Sequence, residues 1–133
     1  MKILNIMIRK CVSLDDFDKT VDFYEHILKQ QARLSFDYPE YQLKLAQVSS
    51  ILIIGGNEES LAPFIETDAT FYVDGIKEYE AYLPTVGATI AKASQKVPTG
   101  HNMLVRHPDG MLLEYVEHTN KHALDFLPAF VDK

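Results

Sequence analysis

From Lys2 to Lys10 the chain alternates. Leu4, Ile6 and Ile8 point one way, and Asn5, Met7 and Arg9 the other. That period of two marks a half-buried strand with a mixed second face. The period then changes. Phe17, Val21, Tyr24 and Leu28 recur at helical spacing, with Phe23 and Ile27 broadening the stripe. Ser13 precedes them as an N-cap, and Asp15 and Asp16 fall in the first turn, where the helix dipole favours acids. The spacing predicts a helix over 14–28. Strands are expected over 32–37, over 40–48, where Tyr41, Leu43 and Leu45 alternate with Gln42 and Lys44, and over 50–54. The stretch 58–66 holds a Pro and few strand formers and reads as a linker. A strand over 68–73, a helix over 76–86 with Pro84 late in it and Gly87 as its stop, and a strand over 88–96 repeat the order.

The second half ends in TGHNMLVRHPDGMLLEYVEH, residues 99–118. Two apolar runs flank His107-Pro108-Asp109-Gly110. Pro suits the second position of a type I turn, Asp the third, and Gly the positive φ that follows. This is a strand-turn-strand unit. Glu114 lies within the second run at the parity of Leu112 and Val116. A carboxylate on an apolar face is costly to bury unless it is paired or lines a cavity. By order of elements, residues 2–118 form two βαβββ units.

Composition narrows the partners. The net charge of −6 argues against nucleic acid, which needs a basic face. No apolar run approaches the ~20 residues of a membrane span, and the N-terminus lacks a signal peptide's pattern. A lone Cys11 forms no internal disulfide, so a reducing cytoplasm is the expected compartment. Cys11 has no histidine placed beside it and is not read as a nucleophile.

The hairpin ending resembles the "(D/H)PDG…(I/L)E(L/Y)" close of the glyoxalase/bleomycin resistance/extradiol dioxygenase (vicinal oxygen chelate) superfamily. The opening LNIMIRKCVSLDDFDKTVDFYEHIL resembles its first strand and helix, notably in Asp22-Phe23-Tyr24 and Ile27-Leu28, although Lys29 stands where many relatives carry Gly. The resemblance implies an α+β fold of two tandem βαβββ modules forming a curved mixed sheet with a central cleft. Module one would span about 2–57, the linker about 58–66 and module two about 67–118, leaving a C-terminal tail at 119–133. It also implies a small-molecule ligand and a homodimer, with modules paired or swapped between chains. The apolar tail, with Leu124, Phe126, Leu127 and Phe130, offers a further contact surface.

The superfamily's ligand and metal positions lie on the first and fourth strand of each module. By resemblance they fall on Asn5, Ile53, Asp68 and Glu114. Only Glu114 matches fully. A neutral amide is a poor ligand for Zn, Ni or Fe, and an Ile is none. A catalytic metal generally needs three protein ligands, so no cofactor is favoured. A divalent metal held by Glu114, Asp68 and His101 is the alternative, serving a lyase, isomerase or dioxygenase. The favoured reading is a ligand-binding cleft without most of the metal ligands, lined by Asn5, Met7, Arg9, Tyr41, Asp68, His101, Met103 and Glu114. His101 shares parity with Met103 and Val105 and is read as facing the cleft, as a hydrogen-bonding group or an acid/base. Arg9 either binds an acidic part of a ligand, as its position in the resemblance implies, or pairs with a nearby acid such as Glu114. His107, at the head of the turn, is expected at the surface, as are His26, His118 and His122.

Overall fold

The computed structural model describes residues 1–119. The apolar tail expected to pack on the body or on a second subunit falls at 120–133, outside the described residues. The described residues divide into two bodies, one made of Met7–Glu66 and the other of Met1–Ile6 with residues 67–119. The division falls inside the first strand, β1 (Ile3–Val12), which contributes to both.

The N-terminal body contains helix α1 (Leu14–Leu28) and strands β2 (Leu34–Tyr38), β3 (Leu43–Val48) and β4 (Ile51–Gly55). Its strand order is β2-β3-β4-β1. β1 and β4 run parallel, with Arg9 opposite Leu52, while β2, β3 and β4 are antiparallel neighbours. The Ser13 hydroxyl accepts the Asp16 N–H at 3.2 Å, the expected cap. Lys29 closes the helix in the left-handed conformation at φ 56° and donates its N–H to Glu25 O, so it does the work of the missing Gly. Phe17 packs with Ala46, Val48 and Ile53 beneath the helix, and Val21 and Tyr24 extend that contact.

Two expectations shift here. Tyr41 belongs to a 3-10 turn, Pro39–Tyr41, and not to a strand. Pro39 starts that turn, and Gln42 leaves it at φ 56°. The expected linker contains a short helix, α2 (Glu58–Leu61), because the Asn57 side chain accepts the Ser60 N–H at 2.7 Å.

The C-terminal body contains strands β5 (Ala69–Val73), β6 (Thr89–Val97), β7 (Gly100–Arg106) and β8 (Leu112–His118), with helix α3 (Ile76–Tyr82). Its strand order is β1-β5-β8-β7-β6. β5 and β8 are parallel; β8, β7 and β6 are antiparallel. Helix α3 ends earlier than its apolar spacing predicts. Around Pro84 the chain tightens into a 3-10 turn, Leu83–Val86, and Gly87 stops it at φ 95°. Ile76, Tyr79 and Leu83 pack on Met103, Val105, Leu113 and Tyr115. Each such side chain contributes about 1.5–3 kcal/mol by leaving water. The His107–Gly110 turn forms as expected. Gly110 N–H donates to His107 O at 2.9 Å, and Gly110 takes φ 96°. At Gly100 a Cβ would collide with the carbonyl oxygen of Glu117, so the β7–β8 pairing requires glycine there.

The expected α+β class and βαβββ order are borne out. Each body pairs its first strand in parallel with its last and sets a helix on one face.

Candidate functional site

Strand register decides which side chains share a face. In the parallel β5–β8 pair Thr70 stands beside Glu114, and in the antiparallel β7–β8 pair Leu104 does. Thr70, Tyr72, Asn102, Leu104, Leu112, Glu114, Val116 and His118 therefore share one face of the C-terminal body. The opposite face carries Met103, Val105, Leu113 and Tyr115, which α3 covers.

The Thr70 hydroxyl donates to Glu114 Oε1 at 3.1 Å, and the Asn102 amide nitrogen donates to Oε2 at 3.0 Å. Thr70 is fully buried, while Glu114 and Asn102 are half-buried. Hydrogen bonds to a charged acceptor are worth about 1.5–3 kcal/mol each, which offsets part of the cost of withdrawing the carboxylate from water. The Asn102 Oδ1 is buried and has no hydrogen-bond partner among the described residues. On the same face, the Tyr72 and His118 rings lie 4.3 Å apart at 50°. Burial raises the Tyr72 phenol well above its ordinary value, and the Glu117 carboxylate adds to the shift, so that hydroxyl stays protonated.

Several expected site residues lie elsewhere. Met103 is 1 % exposed and belongs to the core under α3. His101, at the same parity, pairs with Glu117 and lies on the face opposite Glu114. The cause is a one-residue difference in register. The turn holds five residues, 107–111, between the pair Arg106 and Leu112, and this places even-numbered β7 residues beside Glu114. Asp68 sits at the end of β5 and is exposed. Its carboxylate accepts the Leu112 N–H at 3.0 Å and its own N–H donates to Leu112 O at 2.8 Å, so it closes the β5–β8 ladder. The first-strand position beside Glu114 is Thr70. Ile53 is core beneath α1, and the face shared with Arg9 carries Leu52 and Ile54.

Asn5 is buried in the C-terminal body. Met7, Arg9 and Tyr41 lie in the N-terminal body. There Tyr41 is exposed and meets the rings of Tyr38 at 4.8 Å and Phe64 at 5.8 Å. Two histidines depart from the surface placement expected of them. His107 Nε2 lies 2.8 Å from the Tyr115 hydroxyl, with Phe71 packed beside both, and His118 is buried against Tyr72.

The sequence reading missed Thr70 and Asn102. The signal for Thr70 was its parity with Tyr72 within DATFYVD. Asn102 required the hairpin register, which depends on the turn length.

No protein-family model matches this sequence, and no curated protein matches it. Solved structures do. An uncharacterised protein from Methanosarcina mazei is 45% identical, over 90% of this chain and 95% of that one, with a TM-score of 0.81. Methylmalonyl-CoA epimerase from Mycobacterium tuberculosis is 16% identical over 91% of this chain and 92% of its own, with a TM-score of 0.65. Streptomyces coelicolor methylmalonyl-CoA epimerase, in complex with 2-nitronate-propionyl-CoA, is 16% identical over 88% of this chain and 99% of its own, at 0.59. These epimerases belong to the vicinal oxygen chelate superfamily, and their likeness to this chain is one of fold.

A divalent metal, which the superfamily resemblance implies, does not fit the donors present. Among the described residues no three His, Cys, Asp or Glu side chains converge. Thr70 and Asn102, which donate to Glu114, are both neutral. A metal at that carboxylate would compete with both bonds and gain no second anionic ligand from either residue.

Proposed function

We propose that this chain, which belongs to the same family as the Methanosarcina mazei protein and carries the vicinal oxygen chelate fold, binds a small organic ligand on the Glu114 face of its C-terminal body. The observation that carries the reading is the carboxylate held by two neutral donors on a half-buried face. Glu114 is then an acceptor for an N–H or O–H group of the ligand, with Leu104, Leu112 and Val116 as apolar surface around it. Such a polar anchor within apolar lining is the ordinary composition of a small-molecule site. Arg9 and Asn5 remain candidates for further polar contacts, as the sequence resemblance implies. In this reading the protein is cytoplasmic and works without a bound transition metal.

The alternative is a metal-dependent enzyme that uses Glu114, Asp68 and His101. The geometry weighs against it, since Asp68 closes a strand ladder and His101 lies on the other face. Untagged protein tested by calorimetry and thermal shift against propionyl-CoA, methylmalonyl-CoA and a panel of small amides and alcohols distinguishes the two. The expected result is a ligand whose affinity falls about 10- to 100-fold in Glu114→Gln, from a lost charged hydrogen bond of ~1.5–3 kcal/mol. Stoichiometric Zn, Ni, Mn or Fe in the wild type, lost in Glu114→Gln, would establish the enzyme reading instead.

A further inference from the structure

The N-terminal body carries a row of aromatic rings that its core does not absorb. Tyr38 ends β2 and immediately precedes the 3-10 turn Pro39–Tyr41. Side chains three residues apart eclipse in such a turn, which sets Tyr41 beside Tyr38. Their ring centroids lie 4.8 Å apart, with the planes at 72°. A second 3-10 turn, Ala62–Phe64, brings Phe64 to Tyr41 at 5.8 Å and 82°. Packing at Gly56 ties the two turns together. A Cβ there would stand 2.8 Å from Leu43 and 3.3 Å from Leu61, so its absence lets both side chains close in. Leu43 is the register partner of Tyr38, and Leu61 lies three residues before Phe64. Phe36 extends the row, 6.5 Å from Tyr38. The four rings thus form one connected surface, with Phe36, Tyr38 and Phe64 half-buried and Tyr41 44% exposed.

We propose that Tyr38, Tyr41 and Phe64 form a corner that binds the trimethylammonium group of a free small cation. Three observations support that occupant. The first is shape. Rings set near right angles make a corner and not a stacking platform, so they suit a compact rounded group better than a flat one. The second is the chemistry of the rings. The face of an aromatic ring is negative and attracts a cation within ~6 Å of its centroid. Tyr41 keeps nearly half of its surface open to such a contact. A methylated ammonium is also less strongly hydrated than a bare one, so a half-open site takes it up at a smaller desolvation cost. The third is charge. The segments that carry the rings, 34–44 and 57–66, hold five acids, Asp37, Glu40, Glu58, Glu59 and Glu66, and one base, Lys44. Their field attracts a cation and repels an anion, which favours a free cation over a phosphate-bearing headgroup. The row lies in a different body from Glu114, and the proposal does not depend on the ligand reading there.

Full-length untagged protein, labelled at its aromatic carbons, is titrated with choline and followed by NMR. The expected result is saturable binding in the millimolar range, with the largest shifts at the Tyr38, Tyr41 and Phe64 rings. The neutral alcohol that carries carbon in place of the choline nitrogen has the same shape without the charge. It should bind about tenfold more weakly, the factor that ~1.4 kcal/mol of cation–π attraction supplies. Tyr41→Ala removes the exposed ring and should weaken choline binding about tenfold, while the circular dichroism spectrum stays that of the wild type. Tyr41→Phe keeps the ring face and should bind within about twofold of the wild type. Glu114→Gln should bind choline as the wild type does. Equal affinity for choline and the neutral alcohol overturns the proposal on wild-type protein alone, because the patch is then merely apolar. Titration without saturation overturns it, as does binding that is lost in Glu114→Gln and kept in Tyr41→Ala. Co-sedimentation with phosphatidylcholine vesicles and no response to free choline would assign the rings to a membrane surface and overturn it too.

Discussion

The two bodies share an element order and differ in what their parallel strand pairs display. In the C-terminal body the β5–β8 pair sets Thr70 beside a carboxylate, Glu114, and Asn102 reaches it from β7. In the N-terminal body the β1–β4 pair sets Arg9 beside Leu52 and Cys11 beside Ile54. Each body also keeps an amide on an apolar strand. Asn102 donates to Glu114, whereas Gln47 donates to its neighbour Ser49 O at 3.0 Å, and its buried Oε1 has no hydrogen-bond partner among the described residues. One topology thus carries a carboxylate with two neutral donors in one copy of the pattern and sets Arg9 and Cys11 beside aliphatic side chains in the other. Function resides in the side chains that a register brings together, and the shared order of strands does not select them.

The largest effects should come from the two cores, and they test whether the bodies are equally anchored. Leu113→Ala beneath α3 and Ile53→Ala beneath α1 each remove a buried aliphatic side chain. Each should cost about 2–5 kcal/mol in urea unfolding. A much smaller loss at one site would mean that the body concerned collapses around the cavity.

Alkaline pH should weaken the C-terminal body. Burial pushes the Tyr115 phenol from 10.0 up to about 12, with Tyr79 adding a little. A raised folded pKa means that the unfolded state loses its proton first. Stability is then fully present below pH 10 and falls as pH rises through about 12. The loss is on the order of 2–3 kcal/mol, at 1.36 kcal/mol per pH unit. Tyr115→Phe should reduce this slope, leaving the part contributed by the likewise raised Tyr72 and Tyr79 phenols, while costing about 1 kcal/mol at neutral pH for the His107 hydrogen bond. Chemical unfolding of both proteins between pH 8 and 12 measures it. An unchanged slope in Tyr115→Phe would assign the alkaline loss to another group.

How much of this was legible in the sequence depends on the range of each signal. Helix α1 was readable to the residue because its cap, acids and apolar spacing are all local. The HPDG turn was readable for the same reason. The short helix α2 was obscured by its four-residue length, although Asn57 gives a local cap. Glu114 stood out because a charge interrupts an apolar run. Its partners did not, since Thr70 is 44 positions away and Asn102 is fixed by how many residues the turn contains. Alternation within a strand states which residues share a face but not which face a neighbouring strand matches to it. That link is the register, and a slip of one residue exchanged Asn102 for His101 and Leu104 for Met103.

Asp68 offers a smaller test of the contrast between the site and its frame. Its carboxylate accepts the Leu112 N–H where the β5–β8 pair begins. Asp68→Ala should cost about 1 kcal/mol by thermal or urea unfolding, the usual net worth of such a bond. Ligand affinity should stay within about twofold, since Glu114 keeps both of its donors and a shift of that size is ~0.4 kcal/mol. Affinity that falls in step with Glu114→Gln would return Asp68 to the site.

The smallest expected effect discriminates most finely, because it compares neighbours in sequence. His101 and Asn102 are adjacent on β7 and point to opposite faces. Asn102 donates to Glu114 at 3.0 Å, while His101 stands beside Glu117 on the other side. His101→Ala removes a half-buried ring from the face away from Glu114. It should change ligand affinity by less than about twofold and stability by roughly 0.5 kcal/mol, the range of changes outside buried networks. Asn102→Ala removes a donor from the carboxylate and should weaken binding about 3- to 10-fold, as expected for a net hydrogen bond of ~0.5–1.5 kcal/mol. Calorimetry on the two variants with one ligand reads the register directly. If His101→Ala lost affinity and Asn102→Ala did not, the odd-numbered face of β7 would be the binding face. The Glu114–Asn102 bond would then be a strut within the strands rather than part of the site.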